Sequence, residues 1–224
     1  MKLFLLRYAC NIAISHVLAE ALPVSSVIIP EPYQYDIFKT TDGVRDRELI
    51  FVGRLVSDKG VDTLLSAMGV LKQRGVRAKL NIVGAGPEFG TLRVLVEQLG
   101  LVDQVSFAGV IEGHKLAALL NQHRIMVVPS RWAEPFGIVA LEGIACGCLV
   151  IGSEKGGLKD AIGPCGITVP NGDVSALAQA LETALLDTTT YKRYTDMAPE
   201  HLARHHSNAV AMQYLKIFEG LVTG

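Results

Sequence analysis

Residues 130–147 read SRWAEPFGIVALEGIACG, a loop that runs into a helix. Ser130, Glu134 and Pro135 are start signals. Pro135 suits a first helical turn, or the turn just before one, because its missing N–H would have no partner there. From Phe136 the apolar residues thicken at helical spacing: Ile138, Val139, Leu141, Ile144 and Ala145. That is the pattern of a largely buried helix, and Gly147 ends it. Outward from this stretch, short apolar runs alternate with helical ones. Strands are expected over 49–52, 78–83, 105–107, 125–128, 149–151 and 166–169, as continuous apolar runs of a buried parallel sheet. Helices are expected over 61–74, 89–99, 115–122, 158–162 and 174–186. The class is therefore α/β.

Two carboxylates frame the opening stretch. Glu134 precedes the helix and Glu142 lies inside it, amid Ala140, Leu141, Gly143 and Ile144. A bare carboxylate is costly to bury unless it is paired or hydrogen-bonded, and its helical neighbours Ile138 and Ala145 offer no charge. A solvent-facing Glu142, or one paired with a distant Arg, is one account of it. The other starts from the helix N-terminus, where free N–H groups and the dipole make an anion site. Gly137 lets a phosphate approach there, and Glu142 then lies one or two turns deeper, within reach of sugar hydroxyls.

EPFGIVALE, two Glu with seven residues between, resembles the signature of the retaining glycosyltransferase group 1 family. The resemblance extends downstream through ACGCLVIGSEKGGLKDAI and upstream to FVGRLVSDKG and IVGAGPE, with order and spacing intact. It covers roughly residues 49–186. It implies a Rossmann-like parallel sheet with helices on both faces, the C-terminal half of a GT-B enzyme, in which two such domains face across a cleft. Residues 1–45 are then a junction segment, 46–206 the donor-binding domain and 207–224 a crossover helix. ISHVLAEALPVSSVIIPEPYQYDIF resembles the family's junction between the two halves, so the chain is expected to begin at the end of an N-terminal domain. That domain, absent here, would be supplied by a separate chain or belong to a longer one.

Arg54 and Lys59 flank the turn between the strand of 49–52 and the helix of 61–74. Ligands of open α/β sheets bind at that edge, and a fork plus a point charge suits a diphosphate; an ordinary surface pair is the plain alternative. The resemblance assigns both to the leaving diphosphate. Gly53 precedes Arg54. Gly84 and Gly86 permit close backbone approach; their G-x-G spacing is not the dinucleotide fingerprint, and in the family this loop lines the donor site. The resemblance also sets the base edge against the backbone near Ile111. It sets Phe136, Gly137 and Ile138 N–H groups at the phosphates, Glu142 on the ribose and Glu134 on the donor sugar. Asp160 stands where members commonly carry Glu. Trp132, the sole Trp, is expected to pack within its loop.

The 224 residues are 50% hydrophobic, enough for a sizeable core, and the net charge of −1 gives no basic field for nucleic acid. Cys10, Cys146, Cys148 and Cys165 read as buried free thiols. His205-His206 reads as a solvated tail feature. The first 23 residues hint at a signal peptide, but Arg7 and Glu20 spoil the pattern. They read as a helix with Leu6, Cys10, Ile14, Val17 and Leu18 on its apolar face. No run is long enough to span a membrane. Glycosyl transfer needs charge stabilisation on the leaving diphosphate, which Arg54, Lys59 and the N–H groups would supply without a metal or cofactor; no D-x-D marks a metal site. The expected activity is transfer of a sugar from a nucleotide diphosphate sugar to a glycan or lipid-linked acceptor. The location is cytoplasmic, with room for a peripheral one at the inner membrane face. The alternative is a non-catalytic nucleotide-sugar-binding module that depends on a partner chain. An epimerase or phosphorylase of the same fold is a weaker reading, and a dehydrogenase lacks its fingerprint.

Overall fold

The computed structural model describes residues 6–223. A 3-10 turn, Leu6–Tyr8, leads to β1 (Ile12–Ala13), α1 (His16–Ala21) and β2 (Val27–Ile28), and β1 pairs with β2 in parallel. Next come β3 (Arg47–Val52), α2 (Val61–Gln73), β4 (Leu80–Val83), α3 (Phe89–Gln98), β5 (Val105–Gly109) and α4 (Gly113–Leu120). They are followed by β6 (His123–Val128), α5 (Ile138–Ala145), β7 (Leu149–Ser153), α6 (Leu158–Ile162) and β8 (Gly166–Val169). The chain closes on α7 (Val174–Leu186), α8 (Thr188–Thr195), α9 (Ala198–Arg204) and α10 (Ser207–Thr223).

β3 to β8 form one parallel sheet in the order β5-β4-β3-β6-β7-β8. Side chains alternate across a strand, and here both faces are apolar. Leu49, Phe51, Leu80, Ile82, Ile125, Val127, Leu149 and Ile151 pack against α2, α3 and α7. Ile50, Val83, Met126, Val128 and Val150 pack against α4, α5, α6 and α9. Each fully buried Leu, Ile, Val or Phe stabilises the fold by about 1.5–3 kcal/mol. This two-sided burial is why the strands read as continuous apolar runs. The chain winds outward from β3 on one side and from β6 on the other. The reversal leaves a crevice at the carboxyl ends of those two strands, where ligands of such sheets bind.

The N-terminal segment departs from the helix expected there. Residues 1–5 lie outside the described residues; beyond them the chain is a turn, a strand and a short helix. Asn11 explains the break, since its amide donates to Leu6 O at 2.8 Å and Ala9 O at 3.0 Å. Such local side-chain bonds compete with a helix ladder. Ser15, fully buried, then caps α1 by accepting from Leu18 N–H. His205 also departs from expectation: it is buried, 4.7 Å from the His201 ring and 5.7 Å from Phe136. Burial pulls its pKa down to about 4. Of the four thiols, Cys146, Cys148 and Cys165 are buried and Cys10 is exposed. Burial holds Cys146 and Cys148 at about 12 and Cys165 at about 11, so all three stay protonated. In α10 only the start packs: Val210 is buried, while Phe218 and Leu221 are exposed. No helix among the described residues is long and apolar enough to cross a membrane.

The carboxyl end of α5 is tied down by side chains. Thr40 Oγ1 donates to Ala145 O at 3.0 Å, Arg45 Nη2 donates to Cys146 O, and Tyr191 Oη donates to Gly147 O at 2.7 Å. Arg45 Nη1 also donates to His123 O at 3.1 Å and Leu120 O at 3.4 Å, so one guanidinium serves the ends of α4 and α5 and the start of β6. Replacing it strands several half-buried carbonyls. Arg45→Ala should destabilise the fold by about 2–3 kcal/mol, read as a lower urea midpoint. Arg45→Lys should recover only part of this, because an ammonium lacks the fork.

Candidate functional site

The loops at the carboxyl edge meet backbone to backbone. Gly53 N–H donates to Val83 O at 3.0 Å and Leu55 N–H to Ala85 O at 2.9 Å, joining the loops after β3 and β4. Gly84 has φ 136°, and a Cβ there would lie 1.8 Å from Gly53 O. On the other side, Glu134 forms a parallel bridge with Gly156, and Gly157 N–H donates to Glu134 O at 2.6 Å. A Cβ on Gly157 would lie 2.1 Å from Pro135 O. Only glycine fits at such distances.

Behind these loops is an open cavity of about 620 Å³. Gly53, Arg54, Gly84, Ile111 and Glu142, far apart in sequence, all line it. Glu142 is half-buried, and no cation or hydrogen-bond donor meets its carboxylate among the described residues. Burial raises its pKa from 4.5 to about 7, as desolvation disfavours the charged form. Gln34 and Phe38, from the segment before β3, close the far wall. Sequence reasoning did not find these two, because nothing local ties residues 34–38 to a helix a hundred positions on.

A second cavity of about 290 Å³ lies beside the first, and Arg54 lines both. Lys59 and Glu134 line the second. Lys59 Nζ and Ser130 Oγ both donate to Glu134 Oε1, each at 2.6 Å, so the carboxylate is held in place. Arg54 is exposed, and its side chain makes no hydrogen bond or ion pair among the described residues. Phe136 is buried with its ring 5.7 Å from His205, and it lines neither of the two cavities. Gly137 caps α5 with φ 141° and no side-chain hydrogen bond; Ile138 is partly exposed at the first position of the helix. The N–H groups of residues 136–139 have no acceptor among the described residues. Gly86 lines neither cavity: its backbone sits against Leu55 O, where a Cβ would lie at 2.2 Å. Trp132, expected to pack, is 61% exposed and lines the second cavity. Asp160 Oδ2 accepts from His16 N–H at 2.7 Å and tethers the N-terminal segment.

The Glu142 environment sets a stability test. With its pKa raised on folding, the native state holds a proton that the unfolded chain has released between pH 4.5 and about 7. Its contribution is favourable below that window and is lost as pH rises through it. Glu142→Gln removes the cost of the buried charge. The variant should match the parent near pH 4.5 and exceed it by about 1–3 kcal/mol at pH 8, measured by urea unfolding at both pH values.

Comparison with known proteins accords with this geometry. The family model described as glycosyl transferases group 1 matches residues 35–201. An uncharacterized glycosyltransferase of Methanocaldococcus jannaschii is 39% identical over 142 residues, 58% of this chain and 36% of that protein. A D-inositol 3-phosphate glycosyltransferase of Corynebacterium jeikeium is 34% identical over 186 residues, 79% of this chain and 44% of that protein. Sucrose-phosphate synthase from Thermosynechococcus elongatus superposes with a TM-score of 0.83 at 28% identity, over 99% of this chain and 61% of that one. HepE from Anabaena, solved with UDP and glucose, superposes with a TM-score of 0.80 at 21% identity, over 94% of this chain and 62% of that one. The chain spans about half or less of the length of the curated relatives it matches. Its sheet and flanking helices are those of the C-terminal domain of GT-B glycosyltransferases. The chain belongs to the group 1 glycosyl transferases.

Proposed function

We propose that this chain is the donor-binding half of a retaining glycosyltransferase that transfers a hexosyl group from a nucleotide diphosphate sugar. The observation that carries this is Arg54, whose guanidinium has no partner among the described residues and is shared by two cavities. One cavity ends on the unpartnered carboxylate of Glu142, the other on the fixed carboxylate of Glu134. An elongated ligand with an anionic middle and a hydroxylated group at each end fits that layout. The base lies against the backbone near Ile111, between Gly53 and Gly84. Glu142 accepts from the ribose hydroxyls, which supply the donors it lacks. The diphosphate sits by Arg54 and Lys59, facing the free N–H groups of residues 136–139. Glu134 accepts from hydroxyls of the transferred sugar.

In the reaction the bond between the anomeric carbon and the diphosphate oxygen breaks. Positive charge spreads over the sugar ring and negative charge grows on the phosphate. Arg54, Lys59 and the N-terminus of α5 stabilise that negative charge, and because they are already in position they need little reorganisation. Glu134 lies on the side of the developing positive charge. Lys59 is bonded to Glu134 here, so it couples the two ends of the breaking bond. The new bond forms from the anomeric carbon to a hydroxyl oxygen of a glycan or lipid-linked acceptor, and the hydroxyl proton passes to the leaving diphosphate oxygen. That acceptor is held by the facing N-terminal domain, whether in the same polypeptide or in a partner chain. The donor-binding domain spans residues 46–206, with 1–45 a junction segment and 207–224 a crossover helix.

Calorimetric titration of the chain with UDP, GDP and ADP tests the reading. One nucleotide should bind in preference to the others. Glu142→Ala should weaken it at least about 10-fold, the size expected from loss of a charged hydrogen-bond acceptor, with an unchanged circular dichroism spectrum. Equal affinity in parent and variant would place the ribose elsewhere.

A further inference from the structure

Trp132 is an anomaly by ordinary burial rules. A large aromatic gains by leaving water, yet 61% of this one is exposed. The loop that carries it is not loose. Arg131 N–H and Trp132 N–H both donate to Asp58 O, at 2.8 and 3.3 Å. The Arg131 side chain pairs with Asp62 and donates to Thr63 Oγ1. Asn171 Nδ2 donates to Ser130 O at 3.0 Å and to Arg131 O at 3.3 Å. Two residues on, Glu134 is held by Lys59, Ser130 and its bridge to Gly156. The backbone is therefore pinned on both sides of Trp132, which lines the second cavity.

The rest of that cavity defines what the surface faces. Its polar lining is Arg54, Asp58, Lys59 and Glu134, two cations and two carboxylates, with Lys59 paired to Glu134. The Asp58 carboxylate has no side-chain partner among the described residues and is available as a hydroxyl acceptor. At about 290 Å³ the space is at the small end of ligand pockets, which run from about 300 to 1,000 Å³. An uncharged pyranose has the matching chemistry, an apolar C–H face for the indole and a rim of hydroxyls for Asp58, Lys59 and Glu134.

We infer that Trp132 is the platform on which the pyranose ring of the donor sugar stacks, making it a residue that selects the sugar and not the nucleotide. The inference rests on the donor-site reading above. It goes beyond it by separating the two ends of the ligand: Arg54 and Glu142 hold the nucleotide, and Trp132 senses only what is attached to the second phosphate.

Trp132 is the sole Trp of the 224 residues, so its emission is a reporter with one source. The test titrates the chain with the nucleoside diphosphate found to bind by calorimetry, and with the glucose conjugate of the same nucleotide, following calorimetry and Trp emission in parallel. The bare nucleotide should leave the emission nearly unchanged, and the conjugate should quench or blue-shift it. Trp132→Ala should weaken the conjugate by about 5-fold, the range of an aromatic contact, while leaving the bare nucleotide as before. Trp132→Phe should restore most of the difference. Equal emission changes with both ligands, or an equal loss of both affinities in Trp132→Ala, would overturn the stacking role alone. Failure of every nucleotide to bind by calorimetry would overturn the donor-site reading, and this inference with it.

Discussion

The site depends on contact between main chains with no side chain between them. Gly84 lies over the Gly53 carbonyl and Gly157 over the Pro135 carbonyl, so that loops from different strands share hydrogen bonds directly. This has two effects. The loops cannot part without breaking backbone hydrogen bonds in a half-buried place, which is expensive. And the surface left at the carboxyl edge is made of peptide groups, with side chains rising from it only at chosen points. Arg54, Lys59, Glu134 and Glu142 are among those points. Their spacing is inherited from the sheet, because each follows or faces the end of a particular strand.

The two carboxylates show how differently a fold can treat one chemical group. Glu134 is supplied with a hydroxyl and an ammonium, so its position is determined before any ligand arrives. Glu142 lines a cavity and has no donor among the described residues, and burial raises its pKa to about 7. A residue kept under-satisfied in this way is out of place in a purely structural role. The half-buried carboxylate of Glu142 and the exposed Trp132 both occur on the walls of the two adjoining cavities.

Much of this was legible in the sequence. The alternation of apolar runs and helical patterns implied the parallel sheet, and the motif from Glu134 to Glu142 implied a helix entering from a loop at its edge. These are short-range signals, set by periodicity and by Pro and Gly. What escaped notice was long-range or local in a subtler way. Gln34 and Phe38 reach the first cavity from a segment with no periodic pattern. The helical spacing of Leu6, Cys10 and Ile14 was overridden by one asparagine amide bonding to nearby carbonyls. His205 looked like part of a polar tail, but α9 brings it under the Phe136 ring. The loop that carries Trp132 is held by its N–H bond to Asp58 O and by the Asn171 amide donating to Ser130 O and Arg131 O, and neither Asp58 nor Asn171 is a sequence neighbour.

The tethering of the carboxyl end of α5 has an electrical side. A helix is a pair of opposite partial charges, and at a distance these largely cancel. In α5 the negative end is met by a guanidinium and two hydroxyls from Arg45, Thr40 and Tyr191. The N–H groups at the positive end have no acceptor among the described residues. With one pole quenched and the other bare, this short helix acts on its surroundings less as a dipole than as a single fractional positive charge, fixed beside Arg54 and Lys59. The residues that ground the far pole sit at the opposite end of the helix, and none of them needs to touch a ligand to shape the field it meets.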